Sequence, residues 1–374
     1  MEAIAITHPG LESVAEKEIK ELINPKSTSI EDSVVIFEPK ELLDLCTLCY
    51  KAQSVIKILL LKEKLSFRKH EDIFKAAKNT DFSDFIRKKT FKVQCARIGE
   101  HDFTSNDIEQ GVGKNIEGEV DLEDPDTTIF TYIYKDRCYI GIDFSGFDLS
   151  KRQYRIFHYK DALKATVAYA LLRIADYGPK DFLLDPFCST GTIPIEAALY
   201  ACDFPVNYFT KDNLSFRRFS CFKDTDFDRF FGKIDKNMNL EKKTSIYGYD
   251  ALLGYVKAAQ KNAKIAGINK KISITRADIE WLDTKIGKAK VDKIVSYPPQ
   301  ATERNRKNIE KIYKELFHQA DFVLKKKGII VLVSESGLAK EIVQRYAKEY
   351  KFAINKDISM MQGKKELIIL LMSR

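Results

Sequence analysis

The sequence predicts an α/β protein in which an α+β N-terminal region precedes a C-terminal doubly wound sheet. Three observations support this fold class. Between residues 161 and 374, short apolar segments that suit buried strands alternate with segments of helical periodicity. Three of these apolar segments lead into an acidic residue, at Asp185, Asp250 and Asp278. The first 147 residues instead mix amphipathic helices with alternating segments typical of strands and a hairpin.

Composition narrows the functional classes. The 62 basic residues outnumber the 54 acidic ones and give a net charge of +8, which favours a polyanionic partner, although a merely lysine-rich composition gives the same balance. Seven cysteines, no secretory signal and no membrane-length apolar run predict a cytoplasmic protein that does not enter a membrane. Cys46 and Cys49 lie in an apolar helical pattern without a second Cys or His pair nearby, so we predict core packing and no metal site.

The N-terminal half divides into two α+β segments. Its predicted elements are, in order, a strand at 3–6, a helix at 11–22, a strand at 33–37, a helix at 41–49, a strand at 55–61, helices around 73–77 and 82–88, a strand at 91–97, a helix capped by Thr104 or Ser105, and a hairpin of 129–134 with 137–142. A strand that ends in Arg97, followed by Gly99-Glu100-His101-Asp102-Phe103-Thr104-Ser105 and a helix, resembles the THUMP domain of tRNA-modifying enzymes. The segment before it is similar to the ferredoxin-like unit that opens such proteins.

Basic residues in this half are candidates for RNA contact. The THUMP resemblance implies a grip on tRNA through shape and phosphates, and it makes Arg97 and His101 candidate phosphate ligands. Solvated loop charge is the alternative for both. The following segment, Lys151-Arg152-Gln153-Tyr154-Arg155-Ile156-Phe157-His158-Tyr159-Lys160, combines cations that neutralise phosphates with rings that stack on unpaired bases. We therefore predict RNA contacts for Lys151, Arg152 and Arg155, with a linker of incidental charge as the alternative.

The C-terminal half alternates strands and helices. Its predicted elements are a helix at 161–172, a strand at 182–184, a helix opened by Glu196 to Leu199, a strand at 246–250, a helix at 252–266, a strand at 272–279, a strand and loop at 291–300, a helix at 308–324, a strand at 328–334, a helix at 337–348 and a last strand at 364–372. The aromatic segment 204–240 has little periodicity, and we expect it to cover the sheet of this half, with direct RNA contact as the alternative.

The turn after the first of these strands is the most informative stretch. It lacks both the phosphate-loop and the dinucleotide glycine patterns, and Asp185 would repel a pyrophosphate. A strand, a small-residue turn and a helix N-terminus place backbone N–H groups around a ligand. Asp185-Pro186-Phe187-Cys188-Ser189-Thr190-Gly191-Thr192-Ile193 resembles motif I of the class I S-adenosylmethionine-dependent methyltransferases, in the form used by RNA methylases with a THUMP domain. Ser189 departs from that form, which has Gly there.

This resemblance implies a Rossmann-like methyltransferase domain with S-adenosylmethionine as its cofactor. Asp250 matches the acid that accepts both ribose hydroxyls, Asp278 matches the acid that accepts from the adenine amino group, and the helix at 161–172 resembles motif X. The implied cofactor-binding residues are His158, Leu163, Asp185, Phe187, Cys188, Ser189, Thr190, Gly191, Thr192, Ile193, Asp250, Ala251, Asp278, Ile279 and Ser296.

The reactive loop departs from the family pattern. Amino-directed methylases carry Asn/Asp-Pro-Pro-Tyr/Phe, in which an acceptor side chain and a proline carbonyl bind the hydrogens of the amine while the ring stacks on the base. Here Tyr297 takes the acceptor place and Gln300 the aromatic place, or a shifted register sets Ser296 at the acceptor place. The candidate catalytic residues are Ser296, Tyr297 and Pro298.

Downstream of the reactive loop, Arg304-Asn305-Arg306-Lys307 is followed by Ile312-Tyr313-Lys314-Glu315-Leu316-Phe317. With these residues, the chain most resembles the THUMP-containing tRNA guanine-N2 methyltransferases that act on the acceptor stem. The resemblance implies four segments: a ferredoxin-like domain at 1–50, a THUMP domain at 51–147, a linker at 148–160 and a methyltransferase domain at 161–374. We expect a monomer that binds tRNA and not DNA. The altered reactive loop leaves an alternative open, a catalytically weakened or inactive tRNA-binding protein that keeps the methylase fold.

Overall fold

The computed structural model describes residues 1–157, 162–335 and 337–374. In chain order the strands are β1 (Ala3–Ile6), β2 (Ser27–Glu31), β3 (Val34–Glu38), β4 (Lys57–Ser66), β5 (Thr90–Ile98), β6 (Glu119–Val120), β7 (Thr127–Tyr134), β8 (Arg137–Asp143), β9 (Phe182–Asp185), β10 (Ser245–Asp250), β11 (Ser273–Arg276), β12 (Val291–Ser296), β13 (Leu324–Ser334), β14 (Ala353–Gln362) and β15 (Lys365–Ser373). The helices are α1 (Glu12–Ile23), α2 (Leu42–Lys51), α3 (His70–Asn79), α4 (Ser83–Ile86), α5 (Ser105–Lys114), α6 (Ala165–Ile174), α7 (Thr192–Ala201), α8 (Phe227–Asp235), α9 (Leu253–Ile265), α10 (Leu282–Lys285), α11 (Arg306–Val323) and α12 (Gly337–Glu349).

The chain divides into two compact units. The first comprises residues 1–7, 15–149 and 207–234, and the second comprises 8–14, 150–206 and 235–374. Each unit is built around its own sheet. Within the described residues, no helix is long and apolar enough to cross a membrane.

The first unit contains an eight-stranded sheet in the order β2-β3-β1-β4-β8-β7-β5-β6. Its predicted hairpin is confirmed, because β7 pairs with β8 in antiparallel register from Ile129↔Ile142 to Tyr134↔Arg137. The predicted cap of α5 is Thr104, which accepts from the Asp107 N–H at 3.2 Å while its own N–H donates to the Asp107 carboxylate at 2.7 Å. Strand β2 was not predicted, because this edge strand is polar and largely exposed and so leaves no apolar alternation to detect.

The aromatic segment between α7 and β10 completes the core of the first unit. Residues 207–234 form short 3-10 turns and most of α8. Six of their apolar side chains are buried in the same cluster as the sheet and helices of that unit: Leu214, Phe216, Phe219, Phe222, Phe227 and Phe231. A covering role is therefore confirmed, but the expected sheet is wrong, because these side chains are buried in the core of the first unit and not against the sheet of the C-terminal half.

The second unit is the doubly wound sheet that the sequence predicts. Its strand order is β11-β10-β9-β12-β13-β15-β14, with the first five strands mutually parallel. The expected antiparallel final strand is confirmed by the pairing of β15 with β13. Strand β14 was not predicted, since its apolar and polar residues alternate only weakly and half of its residues are exposed.

Helix α7 begins at Thr192, four residues before the predicted start at Glu196. Pro194 suggests a break in the sequence, but it lies in the first turn, where its missing N–H would have no intrahelical partner. The early start brings the helix N-terminus directly behind the turn that follows β9.

Candidate active site

A cavity of about 1160 Å³ opens at the carboxyl ends of the parallel strands of the second unit. The loops after β9, β10, β11 and β12 contribute to its wall, as do Leu163 before α6 and one face of α11. This is the position at which open α/β sheets bind ligands. The three strand-end acids Asp185, Asp250 and Asp278 all line it.

Asp185 lies at the base of this cavity. Its carboxylate accepts a hydrogen bond from the Ser296 hydroxyl at 2.5 Å and one from the Phe187 N–H at 3.2 Å. Burial raises the pKa of the Asp185 carboxyl to about 7, and the nearby Asp250 charge adds to the rise while the two hydrogen bonds oppose it. The carboxyl can therefore hold or release a proton close to neutral pH.

The turn after β9 is held in the left-handed region at two positions. Ser189 has φ 46° and Gly191 has φ 86°. A Cβ on Gly191 would lie 2.9 Å from the Ala259 Cβ, so the turn packs tightly against α9. Ser189 adopts the conformation that glycine takes easily, and its N–H still donates to the Asp250 carboxylate at 3.0 Å. The departure from the family motif thus leaves this backbone contact in place.

Asp250 is fixed by the ends of two neighbouring loops. Its second oxygen accepts from the Leu252 N–H at 2.9 Å, and burial raises the pKa of the carboxyl. Strand β11 lies beside β10, with Arg276 opposite Asp250 in the strand register. Asp278 follows β11 and is exposed on the cavity wall. The sequence expectation that these acids share one edge of the sheet is confirmed.

The reactive loop follows β12. Ser296 is fully buried and directs its hydroxyl to Asp185, whereas Tyr297 and Pro298 line the cavity. This geometry favours the register with Tyr297 at the acceptor place over the shifted one. Ser296, predicted both as a catalytic and as a cofactor-binding residue, is not among the lining residues in the described part of the chain, and neither is Gly191.

Most other predicted cofactor residues are gathered at the cavity. They are Leu163, Asp185, Phe187, Cys188, Ser189, Thr190, Thr192, Ile193, Asp250, Ala251, Asp278 and Ile279. His158 lies outside the described residues. One wall of the cavity was not predicted. It is formed by α11, which presents Asn308, Lys311, Ile312, Lys314, Glu315 and His318. Their helical spacing directly after the reactive loop is the signal that could have identified them.

Arg97 and His101, the two candidate RNA ligands of the first unit, lie side by side. The Arg97 guanidinium is 3.4 Å from His101 Nδ1, and His101 Nε2 is 2.7 Å from the Lys135 carbonyl. Because a carbonyl only accepts, Nε2 carries the proton and Nδ1 accepts from Arg97. Arg97 also lies over the Phe103 ring, with 6.0 Å from the guanidinium carbon to the ring centre.

The three basic residues predicted to contact RNA in the linker differ in exposure. Lys151 is exposed and Arg155 is half-buried. The prediction for Arg152 is wrong, because its side chain is 1% exposed and forms an ion pair with the buried Glu196 of α7 at 3.1 Å. The Tyr154 hydroxyl donates to the same carboxylate at 2.8 Å. Arg152 therefore neutralises a buried acid and has no free face for a phosphate.

Comparison with known proteins agrees with this arrangement. Residues 152–363 match the RMKL-like methyltransferase domain, and residues 67–143 match the THUMP domain. A tRNA (guanine(6)-N2)-methyltransferase of Methanocaldococcus jannaschii is 29% identical over 93% of this chain and 94% of its own length. An enzyme of the same name from Archaeoglobus fulgidus is 29% identical over 87% of this chain and 81% of its own.

Solved structures share the fold. TrmN from Thermus thermophilus superposes with a TM-score of 0.73 at 21% identity and covers 100% of this chain and 99% of its own. SMU.472, solved in complex with SAH, superposes with a TM-score of 0.81 at 18% identity and covers 99% of this chain and 97% of its own. Since the domain match spans more than half of the sequence, the chain belongs to the RMKL-like methyltransferase-domain family, UPF0020.

Proposed function

We propose that the chain transfers a methyl group from S-adenosylmethionine to the exocyclic N2 amine of a guanosine in the acceptor stem of tRNA. The observation that carries this proposal is the convergence of three strand-end carboxylates on one cavity of a methyltransferase domain. Two relatives named tRNA (guanine(6)-N2)-methyltransferase, each similar over most of both chains, support the choice of substrate.

The cavity residues fit the cofactor. Two backbone N–H groups fix the orientation of the Asp250 carboxylate, whose remaining lone pairs suit a pair of adjacent ribose hydroxyls. Asp278, exposed on the wall, suits the adenine amino group. The buried Asp185 adds negative potential beside a cationic ligand when its carboxyl is ionised, above about pH 7. When bound, S-adenosylmethionine supplies a methyl group activated by a sulfonium centre. The volume of about 1160 Å³ leaves room for a base as well.

The reactive loop suits an amine. An exocyclic amine on a base is a weak nucleophile, because its lone pair is delocalised into the ring. Acceptors that bind its hydrogens orient that lone pair, which matters more here than a strong base does. Tyr297 and Pro298 both line the cavity, and we assign the Pro298 carbonyl and the Tyr297 hydroxyl as the acceptors.

The first unit and the linker supply candidate tRNA contacts. A THUMP match over residues 67–143 supports this assignment. The Arg97 guanidinium, which His101 holds in place, and the exposed Lys151 offer donors to phosphates. We propose that a single copy is sufficient for activity, because the loops after β9, β10, β11 and β12 of one chain bring together the residues assigned to the cofactor and to the amine.

Methyl transfer to unmodified tRNA tests the proposal. The purified full-length chain is incubated with labelled S-adenosylmethionine and transcribed tRNA, and the product nucleosides are identified by mass spectrometry. We expect N2-methylguanosine, and we expect Asp250→Asn to lower cofactor affinity at least tenfold, since it weakens charge-assisted hydrogen bonds worth about 1.5–3 kcal/mol. Asp283→Asn, on an exposed residue outside the cavity wall, is the matched control.

Two results would overturn the proposal. Binding of both cofactor and tRNA without any transfer would instead identify a tRNA-binding protein with a methylase fold. Methylation at another atom of the base, or of DNA in preference to tRNA, would contradict the substrate assignment.

A further inference from the structure

Gln300 occupies the place at which the resembling enzymes carry an aromatic ring, and its side chain is held on three sides. The amide Nε2 donates to the Pro298 carbonyl at 2.6 Å and to the Val333 carbonyl at 3.2 Å. The amide oxygen accepts from the Glu335 N–H at 2.8 Å. One side chain thereby ties the reactive loop to the end of β13.

The backbone of Gln300 is fixed as well. Its carbonyl accepts from the Asn305 side chain at 3.1 Å, and the Asn305 oxygen accepts from the Thr302 N–H at 2.7 Å. Two consecutive prolines, Pro298 and Pro299, restrict the backbone just before it. The loop is therefore restricted on both sides of Gln300, next to Pro298, which lines the cavity.

We propose that Gln300 is a positioning residue for the methyl transfer, which sets the direction of the Pro298 carbonyl and the place of Tyr297. This inference rests on the proposed function. A carbonyl oxygen has two lone pairs, so Pro298 can accept from Gln300 and still accept from a substrate amine. The order of groups in the loop supports the assignment, since an amide and a ring are both present but at exchanged positions, with Tyr297 first and Gln300 last.

The chemistry of the contacts requires an amide. Both Nε2 hydrogens point to carbonyl oxygens, and the side-chain oxygen meets an N–H. A carboxylate at this position would place negative charge against the Pro298 and Val333 oxygens, whereas its protonated form would restore one donor. The nearby carboxylate of Glu335 is paired with Lys365, and Asp185 titrates within the same cavity.

The test uses the full-length chain with the variants Gln300→Glu and Gln300→Met. A matched control is Gln260→Glu, because the Gln260 amide also donates to a carbonyl, that of Ile274 at 2.9 Å, but lies away from the cavity wall. Measured quantities are kcat, the KM for tRNA, cofactor affinity by calorimetry, and activity relative to wild type at each pH, which cancels the titration of Asp185.

We expect Gln300→Glu to lower kcat at least tenfold near pH 8 while cofactor affinity changes less than about twofold. Its activity relative to wild type should begin to recover below about pH 5.5, because the two carbonyl oxygens favour the protonated form and raise the pKa of the glutamate above its ordinary value of about 4.3. Gln300→Met should lose a similar factor at every pH, and Gln260→Glu should leave kcat within about twofold. Wild-type kcat in both Gln300 variants, or a loss in Gln300→Glu that is matched by Gln260→Glu, would overturn the inference alone. An inactive wild-type chain would overturn the proposed function together with it.

Discussion

Replacing Asp185 with Asn is expected to stabilise the ligand-free chain at neutral pH, although it removes an acid from the cavity. Asp185 is 1% exposed, and its carboxylate accepts from the Ser296 hydroxyl and the Phe187 N–H. Burial raises the pKa of this carboxyl to about 7. Between about pH 4 and pH 7 the folded chain therefore retains a proton that the unfolded chain releases, and above that range it holds a buried charge. Asparagine keeps the shape and an acceptor oxygen without a buried charge.

The magnitude follows from the two pKa values. An aspartate in an unfolded chain has a pKa of about 3.9, whereas that of the folded Asp185 is about 7. Because the folded value is higher, wild-type stability falls as the pH rises from about 4 to about 7 and remains low above that range. The difference corresponds to about 4 kcal/mol as an upper limit, since a carboxylate forms stronger hydrogen bonds than the amide oxygen that replaces it. We expect Asp185→Asn to raise the free energy of unfolding by about 2–4 kcal/mol near pH 8 and by less than about 1 kcal/mol near pH 4.5.

The measurement is urea unfolding of the full chain, with hydrogen exchange of peptides from β9 and β10 as the probe. These peptides report the free energy of unfolding of the second unit separately from that of the first. Asp278→Asn is the control, because Asp278 lines the same cavity but is exposed. A gain that is equal at both pH values would refute the explanation by burial. A loss of stability near pH 8 would show that the two hydrogen bonds outweigh the cost of burying the charge.

Three other predictions test the interior of each unit, two in the second unit and one in the first. Arg152→Met should cost about 3–5 kcal/mol in urea unfolding, because it leaves Glu196 buried without its guanidinium, and a double variant that also replaces Glu196 by Leu should recover most of that loss. Gly191→Ala should cost about 1–3 kcal/mol and weaken cofactor binding in calorimetry, since it combines a φ of 86° with a steric contact. A fragment of residues 1–149 should show no cooperative thermal transition by circular dichroism, whereas fusion of residues 207–234 to it should restore one, because that segment buries several phenylalanines worth about 2 kcal/mol each.

The sequence was sufficient to predict that the three acids of the site lie together, because parallel strands have their carboxyl ends at the same edge of the sheet. It was insufficient for the register of the reactive loop. Serine and tyrosine both carry a hydroxyl that can accept, so the order Ser296-Tyr297-Pro298 allows two alignments. The choice depends on a hydrogen bond between residues 111 positions apart, from Ser296 to Asp185, which no local pattern encodes.

The destination of the aromatic segment was also hidden from local reasoning. Residues 207–234 follow α7 of the second unit in the chain, yet their side chains are buried in the first unit. Periodicity reports which residues of a segment are apolar, but it does not report which of two sheets will cover them. Strands β2 and β14 were not predicted for a different reason, because their exposed residues leave no clear alternation of apolar and polar side chains.

Arg152 shows how a basic segment can be misinterpreted and how the error could have been avoided. The density of basic residues in 151–160 favoured RNA contact. The acid that binds Arg152 lies 44 positions away, so the local pattern does not reveal it. Helix α7 reads Thr-Ile-Pro-Ile-Glu-Ala-Ala-Leu-Tyr-Ala, and Glu196 is its single charged residue. A carboxylate in such an apolar helix must be paired if it is buried, so it implies a cation elsewhere in the chain that is unavailable to any ligand. Glu196 therefore predicts that one cation is withdrawn from the candidate surface, and the structure identifies that cation as Arg152. Lys151, which is exposed, remains the stronger linker candidate.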